Sequence, residues 1–257
     1  MIAAGIDMGA KNVKLVLLRD GQVVGRALSL AGFDAEQTAR SVMAVALKEA
    51  GLHRAEVTRV IATGAGREDA PDKDGIMSEV GCAARGAFHL VPDVRTVIDI
   101  GAEEGRAIRC DEQGKVVDFA INEKCAAGVG AFTEAMARAL EVKVEQLGPL
   151  SLRSTQAIPM NAQCVVFAES EVVSMIHNNV PRPDMARAVH DAVASRVIAM
   201  VRRVGCNPPV VLLGGVANNT GFVDSLRRGL ETERLHVPEN PEFVVALGAA
   251  LAAASQA

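Results

Sequence analysis

Tryptophan and tyrosine are absent from this sequence, and phenylalanine occurs only seven times in 257 residues. A platform for stacked bases therefore has almost no aromatics to build on. No apolar run reaches the about 18 residues needed to span a bilayer. The N-terminal stretch Met1-Ile2-Ala3-Ala4-Gly5-Ile6-Asp7 has neither the basic lead nor the long apolar core of a signal peptide, so the expectation is a cytoplasmic chain with no membrane partner. A net charge of −4 with interspersed signs leaves no basic stripe for nucleic acid. None of the five cysteines (Cys82, Cys110, Cys125, Cys164, Cys206) forms a Cys-x-x-Cys pair. A self-contained zinc or cluster site is thus not visible, and an odd count without an export signal argues against a disulfide framework. What is plentiful is apolar material: 49% of residues are hydrophobic, which argues against disorder. The length suits two lobes of about 130 residues each.

The strongest organisational signal is an internal repeat. Residues 6–10 read Ile-Asp-Met-Gly-Ala and residues 98–102 read Ile-Asp-Ile-Gly-Ala. Each copy reaches a basic residue four positions past its Ala, Lys14 in the first and Arg106 in the second. Each then runs through an apolar stretch, a polar Gly-containing turn and a second apolar stretch, the pattern of a β-hairpin. Further strands are expected at 57–63, 95–100 and 210–213, the last just after Pro208-Pro209, where no ladder donor is yet needed. Helices are expected at 35–50, closed by Gly51, through Phe132, Met136 and Leu140, and along the stripe from Met185 to Val204. The fold class is therefore α/β, with two related lobes. The first spans 1–94 and the second 95–243, and a C-terminal helix at about 244–257 is expected to pack on the first lobe.

Asp7-Met8-Gly9-Ala10 and Asp99-Ile100-Gly101-Ala102 each end a buried strand with an acid and then turn on a glycine. Glycine lets backbone N–H groups approach phosphate oxygens, and a strand-end carboxylate suits a hydrated Mg²⁺. A third turn runs from Gly214-Gly215-Val216 to Asn218, and a fourth, at Gly248, opens the last helix. This pattern resembles the actin, sugar kinase and Hsp70 superfamily, in which two ribonuclease-H-like lobes clasp Mg·ATP in a cleft. The resemblance implies that residues 7–14, with Gly9, Ala10, Lys11, Asn12 and Lys14, form the first phosphate loop. It implies a second phosphate loop at 99–104, with Gly101 and Ala102, and an adenosine loop through Gly214, Gly215, Val216 and Asn218. A connecting segment at Gly248 would help to close the cleft. Asp7 and Asp99 would then organise Mg²⁺ and the attacking water, with Glu104 orienting that water.

Two cysteines stand at helix entrances. Asn122-Glu123-Lys124-Cys125-Ala126-Ala127-Gly128-Val129-Gly130 leads into one predicted helix, and Cys164-Val165-Val166-Phe167-Ala168-Glu169-Ser170-Glu171 opens another. Exposed N–H groups at a helix start favour a thiolate. An iron–sulfur cluster usually takes about four thiolates, so two per chain would leave the rest to another subunit; on the residues alone, small buried hydrophobes are the preferred reading of both. The two stretches resemble the signatures of one superfamily branch, the activators of 2-hydroxyacyl-CoA dehydratases and the ATPase subunits of benzoyl-CoA reductase, over nearly the whole chain. That resemblance implies that Cys125 and Cys164 bind one [4Fe–4S] cluster shared by two subunits, with Gly128 and Gly130 shaping the helix entry. ATP hydrolysis would drive a low-potential electron from a ferredoxin-like donor to CoA-substrate-binding partner subunits. The other three cysteines match no ligand stretch.

Within that branch, Asp99-Ile100-Gly101-Ala102-Glu103-Glu104, followed by Gly105-Arg106, departs from the Asp-Ile-Gly-Gly-Gln-Asp typical of activators. It is similar to the shorter, D-type benzoyl-CoA reductase subunit. The first loop carries Ala10 and Val13 in place of the Ser/Thr of activators. The expectation from these departures is a D-type subunit paired with a longer sister ATPase subunit. The alternatives are a homodimeric dehydratase activator, a small-molecule kinase of the same fold without a cluster, and an actin-like assembly module.

Overall fold

The computed structural model describes residues 1–122, 128–161 and 164–255. Its first half forms β1 (Ile2–Met8), β2 (Asn12–Arg19), β3 (Gln22–Leu30), α1 (Ala35–Ala50), β4 (Val57–Thr63), β5 (Gly75–Ile76) and α2 (Glu79–Leu90). The second half continues with β6 (Thr96–Ile100), β7 (Gly105–Cys110), β8 (Val116–Asn122), α3 (Val129–Ala139), α4 (Val144–Ser151), α5 (Val165–His177) and α6 (Arg182–Val204). It ends with β9 (Val210–Leu213), α7 (Thr220–Leu230), β10 (Leu235–His236) and α8 (Val244–Ser255).

The repeat in the sequence is a repeat in space. One five-stranded sheet has the order β3-β2-β1-β4-β5 and the other β8-β7-β6-β9-β10. In each, a hairpin pairs antiparallel (β1 with β2, β6 with β7) while the central strand runs parallel to a later one (β1 with β4, β6 with β9). The register repeats as well: Asp7 faces Lys14 across β1 and β2, and Asp99 faces Arg106 across β6 and β7. The five equivalent strands in one order make two ribonuclease-H-like halves of an α/β fold.

Local chemistry explains the helix ends. Asp34 Oδ1 accepts a 2.8 Å hydrogen bond from Gln37 N–H to start α1, and Gly51, at φ 63°, closes it in the left-handed region open to glycine. α2 begins at Ser78, whose Oγ accepts from Gly81 N–H at 3.2 Å. β1 and β6 are buried along their full lengths, which is why both read as mainly apolar runs with one Asp next to the end.

Three large cores follow. One lies between sheet one and α1, and another between sheet two and helices α3 to α7. The third is shared: it joins Ala3 and Ile61 of the first sheet to Val97, Ile108, Val211 and Leu213 of the second through α2 and α8. α8 lies against α2, β1 and β4 almost backbone to backbone. A Cβ at Gly248 would fall 1.9 Å from Cys82 O, and one at Gly5 2.1 Å from Ala246 O.

Candidate functional site

The two acids one residue from the ends of β1 and β6 face one cavity of about 430 Å³ between the halves. Sheet pairing sets their orientation: each acid is the last-but-one residue of its strand, and its alternating side chain points to the face that opens on the cavity. Asp7 is 5% and Asp99 4% exposed. Each is held by the cation opposite it in the register. Lys14 Nζ donates to Asp7 Oδ2 at 2.9 Å, and Arg106 Nη1 donates to Asp99 Oδ2 at 3.0 Å. Arg106 also pairs with Glu79 Oε2 at 2.7 Å and with Glu104.

The other oxygen of each acid meets a glycine. A Cβ at Gly64 would lie 2.6 Å from Asp7 Oδ1, and one at Gly214 3.0 Å from Asp99 Oδ1. Both glycines have positive φ, +95° and +85°, and both follow the parallel neighbour of the acid's strand. The backbone therefore passes close to both carboxylates, leaving space that any side chain would fill.

Burial pushes the Asp99 carboxyl above its ordinary value, against the pull of Arg106. Burial alone would lower the Lys14 ammonium, but Asp7, with Asp99 and Glu79 behind it, outweighs this and raises it. Glu79, the first residue of α2, is pushed up to about 7 by burial; Arg106 opposes the shift while the neighbouring Asp7, Glu104 and Asp99 add to it. Its ordinary value is 4.5, so in the folded chain the proton stays on into the neutral range. The folded state then binds more protons than the unfolded one, and folding stability falls as pH rises from about 4.5 to about 7. The same deprotonation adds negative charge to the cavity, so affinity for an anionic ligand is expected to weaken through neutral pH. Glu79→Gln should remove that inflection in a pH series of ligand titrations, and an unchanged inflection would assign it to another group.

Most of the residues expected from sequence meet here. Asp7, Gly9, Ala10, Lys11, Asn12 and Lys14 line one side of the cavity, and Asp99, Gly101, Ala102 and Glu104 another. Gly214, Gly215, Val216 and Asn218 line a third side, with Gly130 beside the second loop. Gly128 packs behind that loop, where a Cβ would fall 2.4 Å from Ala102 O. Gly248 is placed differently. It is absent from the lining: it lies inside α8 rather than at its start, in the contact with α2, where the two helices meet by backbone proximity.

Several lining residues were not singled out from sequence. Arg106 enters the repeat only as a basic residue, and its role at Asp99 comes from the register. Ala65 belongs to Gly64-Ala65-Gly66, a Gly-x-Gly after a buried strand that has the same form as the Gly214-Gly215 turn and was findable. Glu79, Thr133 and Glu134, and on α4 Glu145, Gly148 and Pro149, carry no local signal. α4 closes on α7 tightly enough that a Cβ at Gly148 would lie 2.7 Å from Asn219 Oδ1.

The oxygen-only character of Asp7 and Asp99 fits a largely hydrated Mg²⁺, which needs only one or two carboxylates. Among the described residues no group of three or more His, Cys, Asp or Glu side chains is placed to hold a metal ion by itself. Cys164 caps α5 in extended geometry, makes no capping hydrogen bond and is partly exposed. Val166 and Phe167 beside it are 65% and 64% exposed. Cys125 and the residues around it, 123–127, lie outside the described residues. A single partly exposed thiol suits a sulfur-ligated cluster only as a fraction of the donor set. Cys82 and Cys110 are buried, and burial pushes their thiols up to about 12 and about 11, the values of inert structural cysteines. No helix among the described residues is long and apolar enough to cross a membrane.

Comparison with known proteins adds an independent line. The profile of the "BadF/BadG/BcrA/BcrD ATPase family" matches residues 4–253. The (R)-2-hydroxyglutaryl-CoA dehydratase activating ATPase of Acidaminococcus fermentans is 40% identical, over 98% of this chain and 97% of its own. The D subunit of benzoyl-CoA reductase from Thauera aromatica is 34% identical over 97% of this chain and 92% of its own. Among solved structures, the activator of the 2-hydroxyisocaproyl-CoA dehydratase from Clostridium difficile with bound ADPNP superimposes with a TM-score of 0.94. It is 37% identical, and the match covers 100% of this chain and 95% of that one.

Proposed function

The chain belongs to the BadF/BadG/BcrA/BcrD ATPase family, and from that premise we propose that it is an ATP-hydrolysing, electron-transferring activator of a 2-hydroxyacyl-CoA dehydratase. The observation that carries this reading is end-to-end similarity, with a TM-score of 0.94, to a dehydratase activator solved with an ATP analogue. The departures in the second loop favour a D-type reductase subunit, but the match to the Thauera reductase chain, at 34%, is below those to the activators at 37% and 40%. The reading moves accordingly from the reductase to the activator. The D-type subunit stays as the second reading, supported by Asp99-Ile100-Gly101-Ala102-Glu103-Glu104.

In this reading the triphosphate lies against the loops at 9–12 and 101–104, near Lys11, Lys14 and Arg106. The nucleoside occupies the end walled by Gly214 to Asn218 and α4. Asp7 and Asp99 would hold a hydrated Mg²⁺, which would supply charge neutralisation at the phosphates, and Glu104, paired with Arg106, keeps that guanidinium on Asp99. Charge neutralisation and positioning account for most of the rate gain in phosphoryl transfer. Cys125 and Cys164 contribute half of the ligands of a cluster shared with a second copy of the chain. A bound [4Fe–4S] cluster supplies low-potential single-electron chemistry. The electron donor is ferredoxin-like, the acceptor is the dehydratase, and the setting is the cytoplasm.

The test is anaerobic purification of this chain alone, with iron analysis, native mass and ATP turnover. The activator reading expects a dimer holding about four irons and hydrolysing ATP. Iron retained only when a longer sister subunit is co-expressed selects the D-type reading. An iron-free chain under both conditions overturns the cluster assignment.

A further inference from the structure

Three cations line the cavity among the described residues: Lys11, Lys14 and Arg106. Two are committed to carboxylates buried on their own sheet, Lys14 to Asp7 and Arg106 to Asp99, and Arg106 also reaches the largely buried Glu79 of α2 in the first half. Lys11 differs. Its ammonium pairs with Glu134, which stands 123 residues on in α3, in the other half of the molecule. The side chains are 42% and 33% exposed, and both line the cavity. A pair so accessible to water is worth little, so it can be exchanged for a better partner.

The two ends of this pair are anchored unequally. Lys11 rides on the turn between β1 and β2, closed by Gly9 N–H donating to Asn12 O at 3.1 Å. Glu134 rides on a helix whose start is clamped to the second loop. Gly130 N–H donates to Gly101 O at 3.3 Å, and Ala131 N–H donates to Ala102 O at 3.0 Å. A Cβ at Gly130 would lie 2.9 Å from Ala102 Cα, so the helix cannot shift without the loop. α3 thus touches both glycine turns, one through backbone contact and the other through a single exchangeable ion pair.

We propose that Lys11–Glu134 is a strap across the cavity mouth that a polyphosphate opens by taking Lys11 for itself. The inference rests on the nucleotide reading above and deepens it by giving the site a charge-operated closure. Phosphate oxygens compete directly with the Glu134 carboxylate for the same ammonium, and their negative charge repels the carboxylate left behind. The lobes are then tied through the polyphosphate, and α3 is released from the first turn while it remains clamped to the second. A terminal phosphate that reaches Lys11 opens the strap, whereas a shorter nucleotide leaves it closed.

The experiment is calorimetric titration of the full chain with ADP and with a non-hydrolysable ATP analogue, in wild type, Glu134→Gln, Lys11→Gln and the double variant. Glu134→Gln is expected to tighten analogue binding about two- to fivefold, the worth of an exposed pair, with a smaller change for ADP. In the Lys11→Gln background the same substitution should have less than half that effect on a logarithmic scale. Weaker or unchanged analogue binding in Glu134→Gln overturns the strap. So does an equal gain in both backgrounds, which would mark general repulsion rather than a pair. Failure of wild type to bind either nucleotide overturns the nucleotide reading itself, and the strap with it.

Discussion

Asp7→Asn is expected to lower ATP turnover by about 10²- to 10³-fold, the usual loss when one preorganised charge contact at a reacting group is removed. Asparagine has nearly the same shape, and its Oδ1 can still accept from Lys14 Nζ, so the strand and the loop should keep their form. What disappears is the negative charge at the end of β1, on a side chain only 5% exposed, whose open face looks into the cavity. ADP binding, measured alongside, should change by less than about threefold, because an interaction made mainly in the transition state leaves ground-state binding intact. Lys14 enters the same argument. With Asp7 neutral it loses the chief attraction that offsets its burial, so in the variant its ammonium becomes easier to deprotonate. Turnover within tenfold of wild type, by phosphate release, would remove Asp7 from the hydrolytic machinery.

Cys164→Ser should abolish iron retention on anaerobic purification, from about four irons per two chains to background. The substitution is informative because of where Cys164 sits. It is the residue that caps α5, with extended backbone and no side-chain capping bond. Serine is among the best residues for that position, so the helix should start as well or better. Lost iron then reports lost ligation rather than a frayed helix. Cys206→Ser is the internal control: that thiol is partly buried on the α6–β9 connection, and burial raises its pKa, so the variant should keep its iron. Full iron in Cys164→Ser, read by metal analysis and visible absorbance, would refute the ligand assignment.

The halves of the molecule were legible because duplication is visible in residue order. Ile-Asp-x-Gly-Ala twice, each followed by a basic residue at a fixed distance, predicts two equal hairpins, and the register places Asp7 opposite Lys14 and Asp99 opposite Arg106. The helix at 35–50 was readable from its glycine stop, and α6 from its apolar stripe. Contacts between distant elements were not. Glu79 and Glu134 reach the cavity because α2 and α3 are carried there by packing, and nothing adjacent to them in sequence records it. Gly248 shows the converse error. A glycine in an apolar run looks the same in sequence whether it admits a ligand or a neighbouring backbone, and here, inside α8, it admits Cys82. The branch-level preference moves for a related reason: the second loop is a short stretch, and its departures weigh less than similarity spread over the whole chain.

The shared core between α2, α8 and both sheets has a thermodynamic consequence. A chain built from two copies of one fold could melt in two steps, one for each copy. Here the seam is made of residues such as Ala3, Ile61, Val97 and Leu213, which belong to different sheets yet lie in one apolar cluster. Opening either half would expose the other half's core as well, so neither can unfold at its own cost alone. The chain is therefore expected to melt in a single calorimetric transition, and two resolved transitions would show the seam to be weaker than the separate cores. Any ligand held between the halves therefore protects the whole polypeptide by mass action, and not merely the loops that it touches.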